Sequence, residues 1–130
     1  MRLPDSKYAF YFNLLDQGVL AWNTWRAQHP DKIINLEGAR LDYRDLREIN
    51  FSRMNLENTR FQGTDFRHAD FTCSRLCYAN IKRCALDHAR FSGVESSFMI
   101  IKDSPLDLVV DSEGLRHALS SGSRTSILHA

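Results

Sequence analysis

The sequence has no excess charge of either sign: 17 Lys and Arg face 16 Asp and Glu, a formal net charge of +1 over 130 residues. A dedicated nucleic-acid binder usually carries a basic excess and a decoy an acidic one, so neither class is favoured. No run approaches the ~18 apolar residues of a membrane span, and no membrane association is expected. The opening Met-Arg-Leu-Pro-Asp-Ser-Lys lacks the apolar core and small-residue cleavage site of a secretory signal. Three cysteines make an odd set for a disulfide scaffold, and a reducing cytoplasm is the simpler setting. The six glycines are scattered, so no phosphate-cradling loop is built. Neither a Gly-x-Ser-x-Gly elbow nor a His-Glu-x-x-His pair occurs. No nucleophile is paired with an oriented base, so no catalytic residue is assigned and a non-enzymatic role without a cofactor is expected. The length suits one domain.

What the sequence does have is a repeat. Every fifth residue from Leu36 reads Leu36, Leu41, Leu46, Phe51, Leu56, Phe61, Phe66, Phe71, Leu76, Ile81, Leu86 and Phe91. Leu, Phe and Ile make up 30 of the 130 residues, so an unbroken run of this length has a chance on the order of 10⁻⁸. Five residues turn an α-helix by about 500°, so the series drifts around a helix instead of forming a stripe. In one continuous strand an odd spacing throws alternate members to opposite faces. A chain that keeps them all inside must turn a corner between them. A second period of 20 supports this: residues 35–75 laid over 55–95 give eleven identities, Asn35/Asn55, Arg40/Arg60 and Phe51/Phe71 among them. Four five-residue sides per coil place residues 20 apart above one another, at roughly the strand spacing of ~4.8 Å.

The run from Ile34 to Phe91, with units such as His68-Ala69-Asp70-Phe71 and His88-Ala89-Arg90-Phe91, resembles the pentapeptide repeat proteins. The resemblance implies a mainly β fold, a right-handed quadrilateral β-helix of about three coils. The twelve Leu, Phe and Ile residues then point inward as the structural core, as does the small residue two before each. Ala39, Thr59, Thr64, Ala69, Ser74, Ala79, Cys84 and Ala89 fit that small position, whereas Arg44, Ile49 and Met54 do not. A buried unpaired Arg44 costs several kcal/mol, so it is expected to point out of the open end or to be ion-paired.

Both ends of a solenoid need caps. Residues 1–31 supply the first, with one amphipathic helix over 6–29 that carries Tyr11, Leu14, Leu15, Gly18, Trp22 and Trp25 at spacings of three or four. Leu15, Trp22 and Trp25 are read as the plug over the first coil. Ser6 is the expected N-cap and His29-Pro30 the stop. The solenoid is assigned to 32–95 and an irregular C-terminal cap or tail to 96–130. There Ser96 breaks the Leu/Phe series, and Phe98–Ile101 and Leu106–Val110 read as two short strands around a turn. A short helix is expected from Asp111 to about Leu119. This end is also a candidate homodimer contact.

The one metal-like spacing, Cys73-x₃-Cys77-x₆-Cys84-x₃-His88, falls on different walls of such a solenoid. A zinc ion needs its ligands about 2.0–2.3 Å away on all sides, so no metal site is expected. His68 and His88 stack above Glu48 as a solvated outer column. The resemblance also raises duplex-DNA mimicry toward a topoisomerase such as gyrase, or a module of a longer signalling protein. Mimicry needs an acidic face, yet residues 34–95 hold ten Arg and Lys against nine Asp and Glu, mixed along the columns. The expected role is therefore a rigid interaction or scaffold module for an unidentified protein partner. The candidate interaction residues are Arg40, Tyr43 and Arg60 on one face, and Arg47, Arg67, His68 and His88 on another.

Overall fold

The computed structural model describes residues 6–110, residue 115 and residues 126–128. From Asn35 onward the chain pairs with itself in parallel at a spacing of 20. One ladder joins Asn35, Asn55, Arg75 and Glu95; a second joins Asp45, Asp65 and Ala85; a third joins Asn50, Asp70, Arg90 and Val110. The fourth starts with the Arg40–Arg60 bridge and continues through β1 (Arg60–Gln62), β2 (Asn80–Lys82) and β3 (Ile100–Lys102). Backbone groups are exchanged between coils: Leu36 N–H donates to Asn55 O at 2.9 Å, and Asn55 N–H donates back to Ile34 O at 3.0 Å. Each coil thereby satisfies the edge of the one before it, as a β-solenoid requires.

The corners explain why the spacing is five. Every fifth residue from Gly38 to Asp103 has φ between 52° and 77°, and eleven of these fourteen are not glycine. A positive φ at the third residue of a turn is the type II geometry. Most corners close it with a backbone bond, such as Ala39 N–H to Leu36 O at 3.0 Å and Ala69 N–H to Phe66 O at 2.9 Å. The Asp or Asn before the core residue secures the same corner from outside. The Oδ1 atoms of Asn35, Asn55 and Asp70 accept the N–H two residues on at 2.8–3.0 Å. On the side holding Leu41, Phe61 and Ile81, side chains do this work: Thr64 Oγ1 donates to Leu41 O, and the Cys84 thiol to Phe61 O at 3.3 Å.

The interior is filled in layers. All twelve residues of the five-residue series are at most 2% exposed. Phe71 lies flat on Phe91, ring centroids 5.0 Å apart and 9° from parallel, and edge-on to Phe51 and Phe66 at 6.0 and 4.9 Å. The column two residues before them is small in the middle coils and large at the ends. Ile34, Ile49 and Met54 fill the first coil and Met99 the last, all at most 1% exposed. Arg44 is the exception: it leaves the interior, pairs with Asp16 at 2.9 Å and lies over the Phe12 ring.

The first end is closed by two helices, α1 (Ser6–Asp16) and α2 (Val19–Gln28), not by the single helix expected over 6–29. Gly18 sits between them at φ 106°, a conformation helical residues cannot share and one that glycine adopts without a Cβ penalty. The break lets Leu14, Leu15 and Trp22 all bury against the first coil, at no more than 8% exposure. Trp22 meets Phe51 edge-on at 5.5 Å, while Trp25, half-buried, stacks on His29.

The helices also satisfy the first coil's open edge. One coil later, Asp70 O and Thr72 O accept N–H groups from the coil before; among the described residues the first coil has no such neighbour. Instead Arg26 donates to Asn50 O at 3.1 Å and Ser52 O at 2.8 Å, and Trp22 Nε1 to Asn50 O at 2.8 Å. The Asn23 amide donates to Glu48 O at 2.9 Å and accepts Asn50 N–H at 2.8 Å. Tyr8 donates to Glu37 O at 2.6 Å. These side chains occupy the place of a preceding strand and block edge-to-edge pairing on that part of the rim.

The far end departs from the two short strands around a turn expected over 98–110. β3 pairs in parallel with β2, His88 N–H donates to Leu108 O at 2.8 Å, and Val110 N–H to Ala89 O at 2.9 Å. The 20-residue register therefore runs past residue 95. The reason is that Ser96 fits the inward column, 4% exposed, and Ile101 continues the Leu41, Phe61 and Ile81 stack. A further strand, β4 (Ser126–Leu128), pairs in parallel with β3 through a longer step of 26, Ile101 with Ile127. Leu115 is buried. The helix expected from 111 to about 119 otherwise lies outside the described residues.

Candidate interaction surfaces

The exposed faces carry ordered side-chain ladders. On the first, Arg47 pairs with Asp45 and Arg67 with Asp65, each at 2.7 Å, and Arg47 also reaches Asp65 at 3.8 Å. Hydrogen bonds from Arg47 hold the Asp45 carboxyl well below its ordinary range, down to about 2; Arg67 lowers Asp65 in the same way. Beside this ladder the imidazoles of His68 and His88 stack at 4.8 Å, 16° from parallel, with Glu48 next in the column. Gly18, Val19, Asp45, Arg47, Glu48, Arg67 and His68 line one open hollow of about 800 Å³ where the helical turn overhangs the first coils. Four residues singled out in the sequence, Arg47, Arg67, His68 and His88, thus share one face. Only His88 stands outside the hollow.

On the second face Arg60 pairs with Asp42 at 3.2 Å and donates to Gln62 at 2.9 Å, while Gln62 N–H donates to Asp42 Oδ1. Tyr43 is 72% exposed; a Cβ on Gly63 would lie 2.6 Å from its ring, so the bare backbone there gives the ring its seat. Arg40 is exposed one coil below Arg60. A third ladder, unforeseen in the sequence, places Arg75 between Glu57 at 3.2 Å and Glu95 at 3.4 Å. Tyr78, not singled out in the sequence, stacks on Phe98 at 5.0 Å on a neighbouring corner column, and both are exposed. Their separation of 20 was the available signal.

The cysteines are dispersed. Cys73 is exposed, Cys77 half-buried and Cys84 buried, and burial pushes the Cys84 thiol up to about 11. Among the described residues no three His, Cys, Asp or Glu side chains converge to hold a metal ion. Nor, among those residues, is any helix long and apolar enough to cross a membrane.

Parallel coils with five-residue sides, closed at one end by helices, define a β-helix type of solenoid. Residues 34–72 match the family model for pentapeptide repeats in eight copies, so the chain carries a pentapeptide repeat array. No curated protein matches it. Among solved structures it is similar to QnrB1, a plasmid-mediated fluoroquinolone resistance protein, at 14% identity and a TM-score of 0.31. That alignment covers 56% of this chain and 59% of QnrB1, so the chain spans less than two thirds of its length. A pentapeptide repeat protein of the Arabidopsis thaliana thylakoid lumen is 18% identical over 67% of this chain and 72% of its own, with a TM-score of 0.26.

Proposed function

We propose that the chain is a non-enzymatic, cytoplasmic interaction module, a right-handed quadrilateral solenoid that presents fixed side-chain columns to a protein partner. The observation that carries this reading is the Asp45, Arg47, Asp65 and Arg67 ladder beside the stacked His68 and His88. Charges of both signs, held in register by the rungs beneath them, suit a complementary polar protein surface, where such patterns favour specificity over raw affinity. The same mixing argues against a duplex-DNA mimic, whose surface must approach one negative charge per ~1.7 Å of axis. The odd cysteine count supports a reducing compartment.

The test is affinity capture from the native host with the wild-type chain and with an Arg47→Glu, Arg67→Glu double variant of unchanged thermal melt. A partner retained by the first and lost by the second supports the reading; an identical captured set contradicts it. In a gyrase supercoiling assay micromolar protein should have no effect, and inhibition would favour the mimic instead.

A further inference from the structure

The chain leaves the 20-residue register just before the first coil, and a pocket of about 240 Å³ opens there. Arg26, Pro30, Asp31, Lys32, Ile33 and Arg53 line it. One coil later, Phe51 and Arg53 give their N–H groups to Asp70 O and Thr72 O. Residues 31 and 33 stand 20 positions earlier and make no such bonds to Asn50 O and Ser52 O among the described residues. Pro30 turns the chain aside, in a turn closed by Lys32 N–H to His29 O at 3.1 Å. The Arg26 guanidinium takes both carbonyls instead.

That substitution leaves a charge without a counter-ion. Arg26 is 5% exposed, and its bonds go to neutral carbonyls. Neither Arg26, Lys32 nor Arg53 makes an ion pair among the described residues, and neither does Asp31. Asp70 is the acidic group that acts on Arg26 through space, and its Oδ1 already accepts Thr72 N–H. Burial and the neighbouring Arg53 cation both hold the Arg26 pKa below its ordinary value. Three cations and one carboxylate therefore surround the space, two positive charges in excess. A buried charge is normally paired, because isolation from water and from a partner is costly.

We propose that this pocket binds a small doubly charged oxyanion of the phosphate class, with Lys32 and Arg53 as its principal ligands and Arg26 as the fixed charge behind them. The Arg53 guanidinium fork suits two oxygens of a tetrahedral anion, and Lys32 adds a point charge at the mouth. A dianion offsets the whole excess, whereas a monocarboxylate offsets half of it. The volume takes one such group with a few waters and leaves no room for a nucleotide. Free phosphate and the phosphoryl group of a modified peptide share this chemistry.

Titration calorimetry on the full chain, at ionic strength held constant with chloride, tests it with inorganic phosphate, phosphoserine and acetate as probes. Phosphate should bind saturably and more tightly than acetate, and about tenfold more weakly to Lys32→Ala and to Arg53→Ala. Both side chains are exposed, so these variants keep the fold; Arg26 is avoided because it also caps the first coil. Phosphoserine binding as tightly as phosphate marks a phosphorylated peptide as the source, and phosphate binding alone marks the free ion. No saturable heat with phosphate, affinity equal to acetate, or binding unchanged in both variants would overturn the proposal.

Discussion

The first coil, residues 34–54, and the coil above it, residues 55–74, share one series of inward Leu and Phe residues and solve different problems at their edges. The second coil rests on backbone: Asp70 N–H donates to Ile49 O, and Asp70 O accepts from Phe51 N–H. The first has no coil beneath it among the described residues, and Trp22, Asn23 and Arg26 make the equivalent bonds around Asn50 and Ser52 with side chains. Its inner column differs too. Thr59, Thr64, Ala69 and Ser74 fill the second coil, whereas the first holds Ile49 and Met54 inside and turns Arg44 out to Asp16. A repeat can specify its own interior, because each coil meets a copy of itself. It cannot specify its end, which is built from residues that obey no period.

If the end is packed as firmly as the interior, removing a core ring should cost the same in either place. Phe71→Ala, inside the phenylalanine stack, and Trp22→Ala, at the base, should each lower the unfolding free energy by about 3–5 kcal/mol in urea denaturation. A Trp22 cost under about 1 kcal/mol would mean that the helices merely lie on the solenoid. Next comes Arg26→Met, which keeps most of the stem but leaves Ser52 O without its donor and Asn50 O with Trp22 Nε1 alone; a loss of about 2 kcal/mol is expected by the same measurement. Ser74→Ala should act in the opposite direction. Its hydroxyl is buried without a hydrogen-bond partner among the described residues, and Ala is the side chain found at Ala69 and Ala79. A gain of about 1 kcal/mol is expected.

The smallest effect concerns the outer ladder and pH. Arg47 holds the Asp45 carboxyl down to about 2, below the ~3.9 of an unfolded chain. A depressed carboxylate adds stability above its unfolded value and loses it as pH falls toward the folded one. Thermal melts between pH 5 and pH 2.5 should therefore fall less steeply for Asp45→Asn than for the wild type. The two should converge toward pH 2.5, and at pH 7 the wild type should lead only slightly, because the pair is solvent-exposed.

The same contrast separates what could be read in the sequence from what could not. The twelve-residue series and the corner residues followed from a spacing of five, and the exit of Arg44 followed from the cost of burying a cation in a column of small residues. The break at Gly18 did not, because a helical stripe of apolar residues runs through it without a change of period. Ser96 hid the continuation of the coils to Val110: a small polar residue replaces Leu where the turn still forms, with Met99 N–H donating to Ser96 O at 3.0 Å. Arg26 and Asn23 were invisible for a deeper reason. An Arg or Asn on a helix reads as solvent-facing, and only the position of an unpaired rim gives it a partner.

Amide hydrogen exchange at Asn50 tests most directly whether helix side chains stand in for a missing coil. In the wild type the Asn50 N–H, bonded to Asn23 Oδ1, should be protected to a degree comparable with Asp70 N–H. The Asp45 N–H, which has no partner among the described residues, should exchange far faster. In Asn23→Ala the Asn50 amide alone should fall to the rate of Asp45 while Asp70 stays protected. An Asn50 amide that already exchanges like Asp45 in the wild type, or that keeps its protection in the variant, would contradict the account.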